Sequence, residues 1–140
     1  MTHEVLQPAG WPRPKGYANG MAAHGRTVFI AGQIGWDAQG RFVEKTLSGQ
    51  VRQALENILS VLRCAGGGPE HIVRLTWFVV SREAYHQEIR AIGAEYRKVM
   101  GRNFPTMSVV QVVGLMEAQA LVEIEATAVI PEPITPAAAG

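Results

Sequence analysis

The sequence has almost no cysteine: Cys64 is the single one in 140 residues. One cysteine cannot form a disulfide within the chain and offers no pair of thiolates at the spacing of a zinc site. The four histidines, at positions 3, 24, 71 and 86, also share no metal-ligand spacing. The sequence therefore predicts a protein without disulfides or a metal site, compatible with a reducing compartment, and we expect it in the cytoplasm.

Long apolar runs and an excess of charge are also missing. No stretch approaches the roughly 18 apolar residues of a membrane span, and the first 16 residues lack the basic and then apolar layout of a signal peptide. The chain has 13 Lys and Arg against 12 Asp and Glu, a net charge of +1, without a basic run. Neither a membrane nor a nucleic acid is therefore expected as a partner.

The apolar content, 47% of 140 residues, is enough to build the core of one domain. The first 16 residues contain three prolines and two glycines without apolar periodicity, so residues 1–15 are predicted to form an irregular arm. Residues 131–140, with the sequence PEPITPAAAG, are predicted to be a loose tail. The structured core is expected over about residues 16–130.

Within this core the residue pattern predicts the element order ββαβαββ. A hairpin is expected over residues 17–33 around a turn at Gly25 and Arg26, followed by a helix capped by Ser48 that ends at Gly66. A strand over 72–80 and a helix from Ser81 to about Met100 come next. Strands over 107–113 and 121–130 complete the order.

Two amphipathic helices can cover only one face of a sheet, so the other face must meet water or another chain. In the last strand, alternation directs Val122, Ile124, Ala126, Ala128 and Ile130 to the core and Glu123, Glu125, Thr127 and Val129 to the other face. In the preceding strand Met107, Val109, Gln111 and Val113 share one parity, which we group with the outer face. This mixture of apolar and polar residues predicts a subunit interface.

Four motifs, in this order and spacing, resemble the reactive-intermediate deaminase (Rid, YjgF/UK114) family. They are GYANG at 16–20, VFIAGQIG at 28–35, FPTMSVVQV at 104–112 and LVEIEATAV at 121–129, and QVRQALENI on the first helix agrees with them. The resemblance implies an α+β, chorismate-mutase-like fold: a mixed sheet with two helices on one face, assembled as a homotrimer with ligand clefts between neighbours.

The resemblance also implies a reaction: hydrolysis of small 2-imino and enamine acids to 2-keto acids and ammonia, without a metal or organic cofactor. The family tyrosine falls on Tyr17 and the family glutamate on Glu123, which are the expected catalytic residues. Gly32 and Ser108 match positions that line the cleft. The family arginine belongs in the pattern P-x-R-S, where this chain has Met107.

Met107 cannot hold a carboxylate by charge-assisted hydrogen bonds, as an arginine does. Among the other arginines, Arg74 on the third strand is our preferred substitute, ahead of Arg90 on the second helix and Arg102 in the following loop. Each of them also has a structural interpretation, as an ion pair or a solvated side chain. Arg74, Met107 and Ser108 are therefore expected to bind substrate together with Gly32.

Three functions follow as hypotheses. The first is an enzyme that hydrolyses an imine, an enamine or a related small nitrogen compound with Glu123 and a water molecule. The second is a trimer that binds a small ligand without turnover, because a scaffold does not fix its chemistry. The third is an RNA-acting inhibitor of translation, which the near-neutral charge disfavours.

Overall fold

The computed structural model describes residues 2–133, which build strands and helices in alternating groups. The strands are β1 (Glu4–Leu6), β2 (Gly20–Ala22), β3 (Arg26–Ile34), β4 (Ile72–Val79), β5 (Thr106–Gln111) and β6 (Val122–Ile130). The helices are α1 (Leu47–Arg63), α2 (Arg82–Gln87) and α3 (Ile89–Met100), and a 3₁₀ turn at Pro69–His71 precedes β4.

The main sheet has the strand order β3-β6-β4-β5. β6 pairs antiparallel with β3 and β4, whereas β4 and β5 run parallel, so the sheet is mixed. The parallel pair needs a crossover connection, and α2 and α3 supply it. The predicted α+β class, with a mixed sheet and helices on one face, is confirmed.

The core lies between the inner face of this sheet and the helices. β6 alternates as predicted, with Val122, Ile124, Ala126 and Ala128 buried on the inner side. α1 packs on β3 and β6 and also against α3. Its apolar stripe is nearly inaccessible to solvent and consists of Leu47, Val51, Ala54, Leu55, Ile58, Leu59 and Leu62.

The sequence was wrong about the face of β5. Met107 lies beside Leu75 and Val109 beside Trp77, and both partners on β4 are buried in the core. Met107 and Val109 therefore pack on the helix side, whereas Ser108 and Val110 share the outer face. Alternation separates the two faces of a strand, but only the pairing register shows which face is inward.

The predicted hairpin of residues 17–33 does not form. β2 pairs antiparallel with β1 in a separate two-stranded sheet, and β3 pairs with β6. Gly25 bends the chain against the end of β6, where a Cβ atom would lie 2.2 Å from the carbonyl oxygen of Ile130. The chain does turn at Gly25, as the sequence indicated. The strands on the two sides of this turn, β2 and β3, pair with β1 and β6 and not with each other.

The N-terminal arm is more ordered than expected. Residues 4–6, placed in the irregular arm by the sequence, form β1, and His3 is buried with Nε2 3.1 Å from the carbonyl oxygen of His71. Of the tail predicted over 131–140, only residues 131–133 are described, and they have no regular structure. Residues 134–140 lie outside the described residues.

Two helix predictions need correction. Thr46, and not Ser48, caps α1, because its hydroxyl accepts a hydrogen bond from the Gly49 N–H. Ser81 caps the second helical segment as predicted, but this segment breaks at Glu88 into α2 and α3. The carboxylate of Glu88 accepts a hydrogen bond from the Ser48 N–H, which joins the break to the start of α1.

A single buried amide connects α1 to two loops. Gln50 is 2% exposed, and its Nε2 donates to the carbonyl oxygens of Glu44 (3.2 Å) and Gln119 (3.0 Å). Its Oε1 accepts from the Leu121 N–H at 2.7 Å. Gly35 completes the contact, because a Cβ atom there would lie 2.6 Å from Cβ of Gln50. This amide fixes the start of β6 relative to α1.

Replacing Gln50 with Leu should lower the free energy of unfolding by about 2–4 kcal/mol, because it leaves buried backbone groups without partners. Urea unfolding measures the change. Gln53→Leu is the matched control, since among residues 2–133 the Gln53 side chain hydrogen-bonds only to Asn57 on the same helix, and a change within about 0.5 kcal/mol is expected. Equal losses in the two variants would contradict a special role for Gln50.

Candidate functional site

An open groove runs along the outer face of the sheet beside β5. Its volume is about 870 Å³, and it is bounded by β4, β5 and the segment that leads into β2. Ala18 bridges to Thr106 of β5, which places Tyr17 at the groove. The polar side chains that line it are Tyr17, Asn19, Arg74, Thr76, Thr106, Ser108 and Thr127.

Three residues that the sequence proposed for the site, Arg74, Ser108 and Tyr17, line this one groove. Arg74 is exposed on the outer face between Thr106 and Thr127, its register neighbours. Among residues 2–133 it has no carboxylate within 4.0 Å, although Glu125 lies near it on β6. A guanidinium without an ion pair is available to an anionic group.

Gly32 and Glu123 meet at a different place. The register of β3 on β6 shifts between Ile30 and Gln33, with one extra residue on β3, and Gly32 lies in this bulge. A Cβ atom at Gly32 would lie 2.7 Å from Cδ and 2.9 Å from Oε2 of Glu123. The missing side chain of Gly32 therefore leaves the space that the Glu123 carboxylate occupies.

The two sets of predicted site residues are separate within one chain. Met107 is level with Leu75 of β4 and Ala126 of β6, whereas Glu123 is three residues farther along β6. Strand spacing and rise put their Cα atoms roughly 14 Å apart. Met107 also packs on the inner face and Glu123 on the outer one. One chain alone does not bring these two side chains together.

A second groove lies on the inner side of β5, between this strand and the helices. It has a volume of about 500 Å³, within the usual range of small-molecule sites. Tyr17 and Met107 line this inner groove as well as the outer one, since both residues lie at the β5 edge. Its other side chains are Lys15, Trp77, Tyr85, Ile89, Ile92, Tyr96, Arg97, Phe104 and Val109.

Aromatic rings give the inner groove its wall. Tyr96 stacks between Trp77 and Phe104, with ring centroids 6.5 Å and 5.7 Å apart. The Tyr96 hydroxyl donates a hydrogen bond to the carbonyl oxygen of Asn103. Burial raises the pKa of Tyr96 well above 10.0, and burial also raises the pKa of Tyr85. These two tyrosine hydroxyls are therefore uncharged at neutral pH.

The sequence missed the inner groove and two of its residues, Gly93 and Arg97. Gly93 interrupts the apolar stripe of α3, and Arg97 follows it four residues later on the same side of the helix. A glycine in the middle of a helix is unfavourable, so Gly93 was the sequence feature that could have indicated this groove. The arginines considered as substitutes for the family arginine, Arg90 and Arg102, are exposed and line neither groove.

Comparison with known proteins agrees with this architecture. A protein-family model described as endoribonuclease L-PSP matches residues 12–130. The solved structure of the Rid-family protein YyfB from Yersinia pestis, a protein of unknown function, is similar with a TM-score of 0.79 and 34% identity, covering 93% of this chain and 100% of that one. The chain belongs to the Rid family.

Curated relatives of this Rid-family protein include a RutC family protein from Synechocystis. It is 35% identical over 135 residues, which is 94% of this chain and 99% of the relative. The human protein named 2-iminobutanoate/2-iminopropanoate deaminase is 32% identical over 105 residues, 74% of this chain and 73% of the relative. At these identities the family is shared, but the activity of one member does not establish that of another.

Residues 2–133 contain neither a cluster of metal-binding side chains nor a membrane-spanning helix. This part of the chain contains no group of three or more His, Cys, Asp or Glu side chains that could hold a metal ion. Within the same range no helix is both long and apolar enough to cross a membrane.

Replacing Tyr96 with Phe should reduce the loss of stability at high pH. A tyrosine whose pKa is raised by folding stabilises the protein while protonated, and this contribution is lost as the pH rises from the unfolded value of about 10 towards the folded one. Urea unfolding at about pH 8 and about pH 10.5 measures the difference for each protein. An unchanged pH dependence in Tyr96→Phe would contradict the prediction.

Proposed function

We propose that this Rid-family protein is a hydrolytic deaminase of small imines or enamines that needs no cofactor and works at clefts between the subunits of a homotrimer. The observation that supports it is the separation of the site into two sets on one chain. Tyr17, Met107 and their grooves lie at the β5 edge, and Gly32 and Glu123 lie at the β3 bulge. A neighbouring copy can bring the missing set to each edge.

The outer face of the sheet supports assembly. Phe29 is 80% exposed there although it lies in the middle of β3, and Val110 of β5 is 44% exposed on the same face. Phe78 of β4, level with Val110, adds further apolar surface to this face. An exposed apolar sheet face with a few polar groups is typical of a surface that another subunit covers.

The proposed reaction uses Glu123 as a general base. Its carboxylate takes a proton from a water molecule as the water oxygen bonds to the carbon of the protonated imine, which gives a neutral tetrahedral aminol. The Glu123 carboxyl then returns this proton to nitrogen, which makes the amino group a leaving group. The carbon–nitrogen bond breaks as the hydroxyl oxygen forms the carbonyl group and passes its proton to the Glu123 carboxylate, and ammonia leaves. The Tyr17 hydroxyl donates a hydrogen bond to the substrate and orients it for attack.

Met107 favours a second candidate function, binding of a small ligand without turnover. In the family pattern an arginine at this position provides two charge-assisted hydrogen bonds, each of about 1.5–3 kcal/mol. A thioether provides apolar surface and a weak acceptor. Without this arginine, the usual means of orienting a small carboxylate substrate is missing. The two candidate functions differ in whether the bound molecule is oriented for reaction.

The name of the matching family model refers to ribonuclease action, which we do not propose for this chain. Tight binding of an RNA backbone relies on several Lys and Arg contacts to phosphate groups. The net charge of this chain is +1, and the outer groove is lined by one arginine among hydroxyl, amide and apolar side chains. The charge distribution is better suited to a small ligand.

Replacing Phe29 with Glu should disrupt the trimer, because it places a charge in the centre of the apolar outer face. Sedimentation velocity should show three times the 15.2 kDa chain mass for the wild type and a smaller species for Phe29→Glu. Val43→Glu is the control, since Val43 is 67% exposed in the loop before α1, away from the sheet face. A monomeric wild type at micromolar concentration would remove the shared cleft.

Replacing Glu123 with Gln should lower the rate of ammonia release about 10²- to 10⁴-fold, because the amide has nearly the same shape but cannot accept the proton from water. Ammonia and keto acid are measured with imino acids generated in the assay. Glu125→Gln is the matched control: Glu125 lies two residues away on β6, on the same face, and is exposed. Its rate should stay near that of the wild type.

Met107→Arg separates the two candidate functions. If the wild type releases ammonia and Glu123→Gln does not, the deaminase proposal stands. If the wild type is inert and Met107→Arg gains activity, the scaffold has kept its geometry, and ligand binding without turnover becomes the better description of the natural protein. Equal activity in wild type and Glu123→Gln would exclude Glu123 as the base.

A further inference from the structure

The inner groove differs in character from the outer one, and the difference bears on the size and shape of the ligand. Tyr96, packed between Trp77 and Phe104, forms a continuous aromatic wall along it. Met107 and Val109 of β5 extend this wall with aliphatic surface. Such a wall binds an apolar group of the ligand, since the area buried there is the main source of affinity.

Gly93 makes room opposite this wall. It lies in the middle of α3, where any other residue would direct a side chain towards the groove. A Cβ atom built at Gly93 would have one neighbour within 4 Å, the Nη1 atom of Arg97, at 3.4 Å. The space at Gly93 is therefore open to the groove and is bordered by a guanidinium group.

Arg97 provides a cation at the edge of the groove. Its guanidinium extends back along α3 over Gly93, and none of the described residues places a carboxylate within 4.0 Å of it. Lys15 is a second cation at the same groove, and no Asp or Glu of the described part of the chain lines it. An apolar cavity with cations alone at its rim matches a ligand that has an apolar body and an anionic end.

The geometry points to 2-imino acids, and the 2-keto acids formed from them, with an aromatic or other large apolar side chain as the ligands of this site, and to Arg97 as the residue that binds their carboxylate. This inference rests on the proposed function and specifies its substrate class. Met107 belongs to the apolar wall, and the positive charge that the family arginine would supply from β5 comes from α3 across the groove.

Stable acids test this specificity without requiring turnover. Titration calorimetry of the full-length protein would compare 3-phenylpropanoate, its uncharged counterpart 3-phenylpropanamide, and butanoate. The phenyl compound should bind at least about tenfold more tightly than butanoate because its ring is buried on the aromatic wall. It should also bind about tenfold more tightly than the amide, which cannot form a charge-assisted hydrogen bond with Arg97.

Three variants identify the residues involved. Arg97→Gln should weaken 3-phenylpropanoate about tenfold and leave the amide unchanged. Arg90→Gln is the matched control, because Arg90 is exposed on the same helix but does not line the groove. Gly93→Leu, which adds a helix-favouring residue, should weaken the phenyl compounds about tenfold by filling the space and leave butanoate unchanged.

The outcomes separate this inference from the proposed function. Equal binding of butanoate and 3-phenylpropanoate, or unchanged binding to Arg97→Gln, overturns the inference. Hydrolysis of alanine- and phenylalanine-derived imino acids at equal rates overturns the substrate class but leaves the deaminase proposal standing. Arg97-dependent binding of the phenyl acid by a protein that hydrolyses no imino acid supports the ligand class and rejects the deaminase proposal.

Discussion

α1 buries an unbroken apolar stripe against the inner face of the sheet, and α3 packs beside it over β4. Both helices use the same face, so the hydrophobic core can form on one side of the sheet only. The outward side chains of β3, β4 and β6 consequently lie outside this core. The positions of Arg74, Phe29 and Glu123 follow from this one-sided packing, as does the expectation that another subunit covers them.

Both faces of the sheet are accessible at the edge strand β5. Its free edge is partly closed by the Ala18–Thr106 bridge, which also places Tyr17 at the rim of both grooves. The inner groove is apolar and aromatic, and the outer groove is polar with one guanidinium. A ligand at this edge can therefore satisfy an apolar part and a polar part at the same time, which is the usual character of a specific small-molecule site.

Met107, at the position where the family resemblance implies an arginine, is compatible with the packing around it. Met107 lies beside Leu75 on the core side of the sheet and contacts the aromatic wall, where a thioether packs well. Gly93 on α3 adds space on the opposite side, and Arg97 brings a guanidinium to it. Met107, Gly93 and Arg97 thus lie together at the inner groove. Met107 and the open space at Gly93 enlarge the apolar part of this groove, and its cation, Arg97, lies on α3.

Much of the fold could be predicted from local pattern. The elements were predicted from the period-two alternation of β6, the apolar stripe of α1 and the Ser81 cap, because helix and strand periodicity depends on a few neighbouring residues. The order of the four motifs identified the family. The same motifs predicted Tyr17, Gly32 and Glu123 as site residues and Met107 at the position of the family arginine. Contacts between segments far apart in sequence could not be predicted from local patterns.

Tertiary structure alone decided which strands pair, which face of β5 is inward and which arginine reaches the inner groove. β2 pairs with β1 and not with its neighbour β3, Met107 packs inward through its register with Leu75, and Arg97 reaches the groove over Gly93. Each of these depends on the free energy of burying surfaces brought together from distant parts of the chain. The sequence by itself determined the elements and the residue types of the site, whereas long-range packing determined their partners.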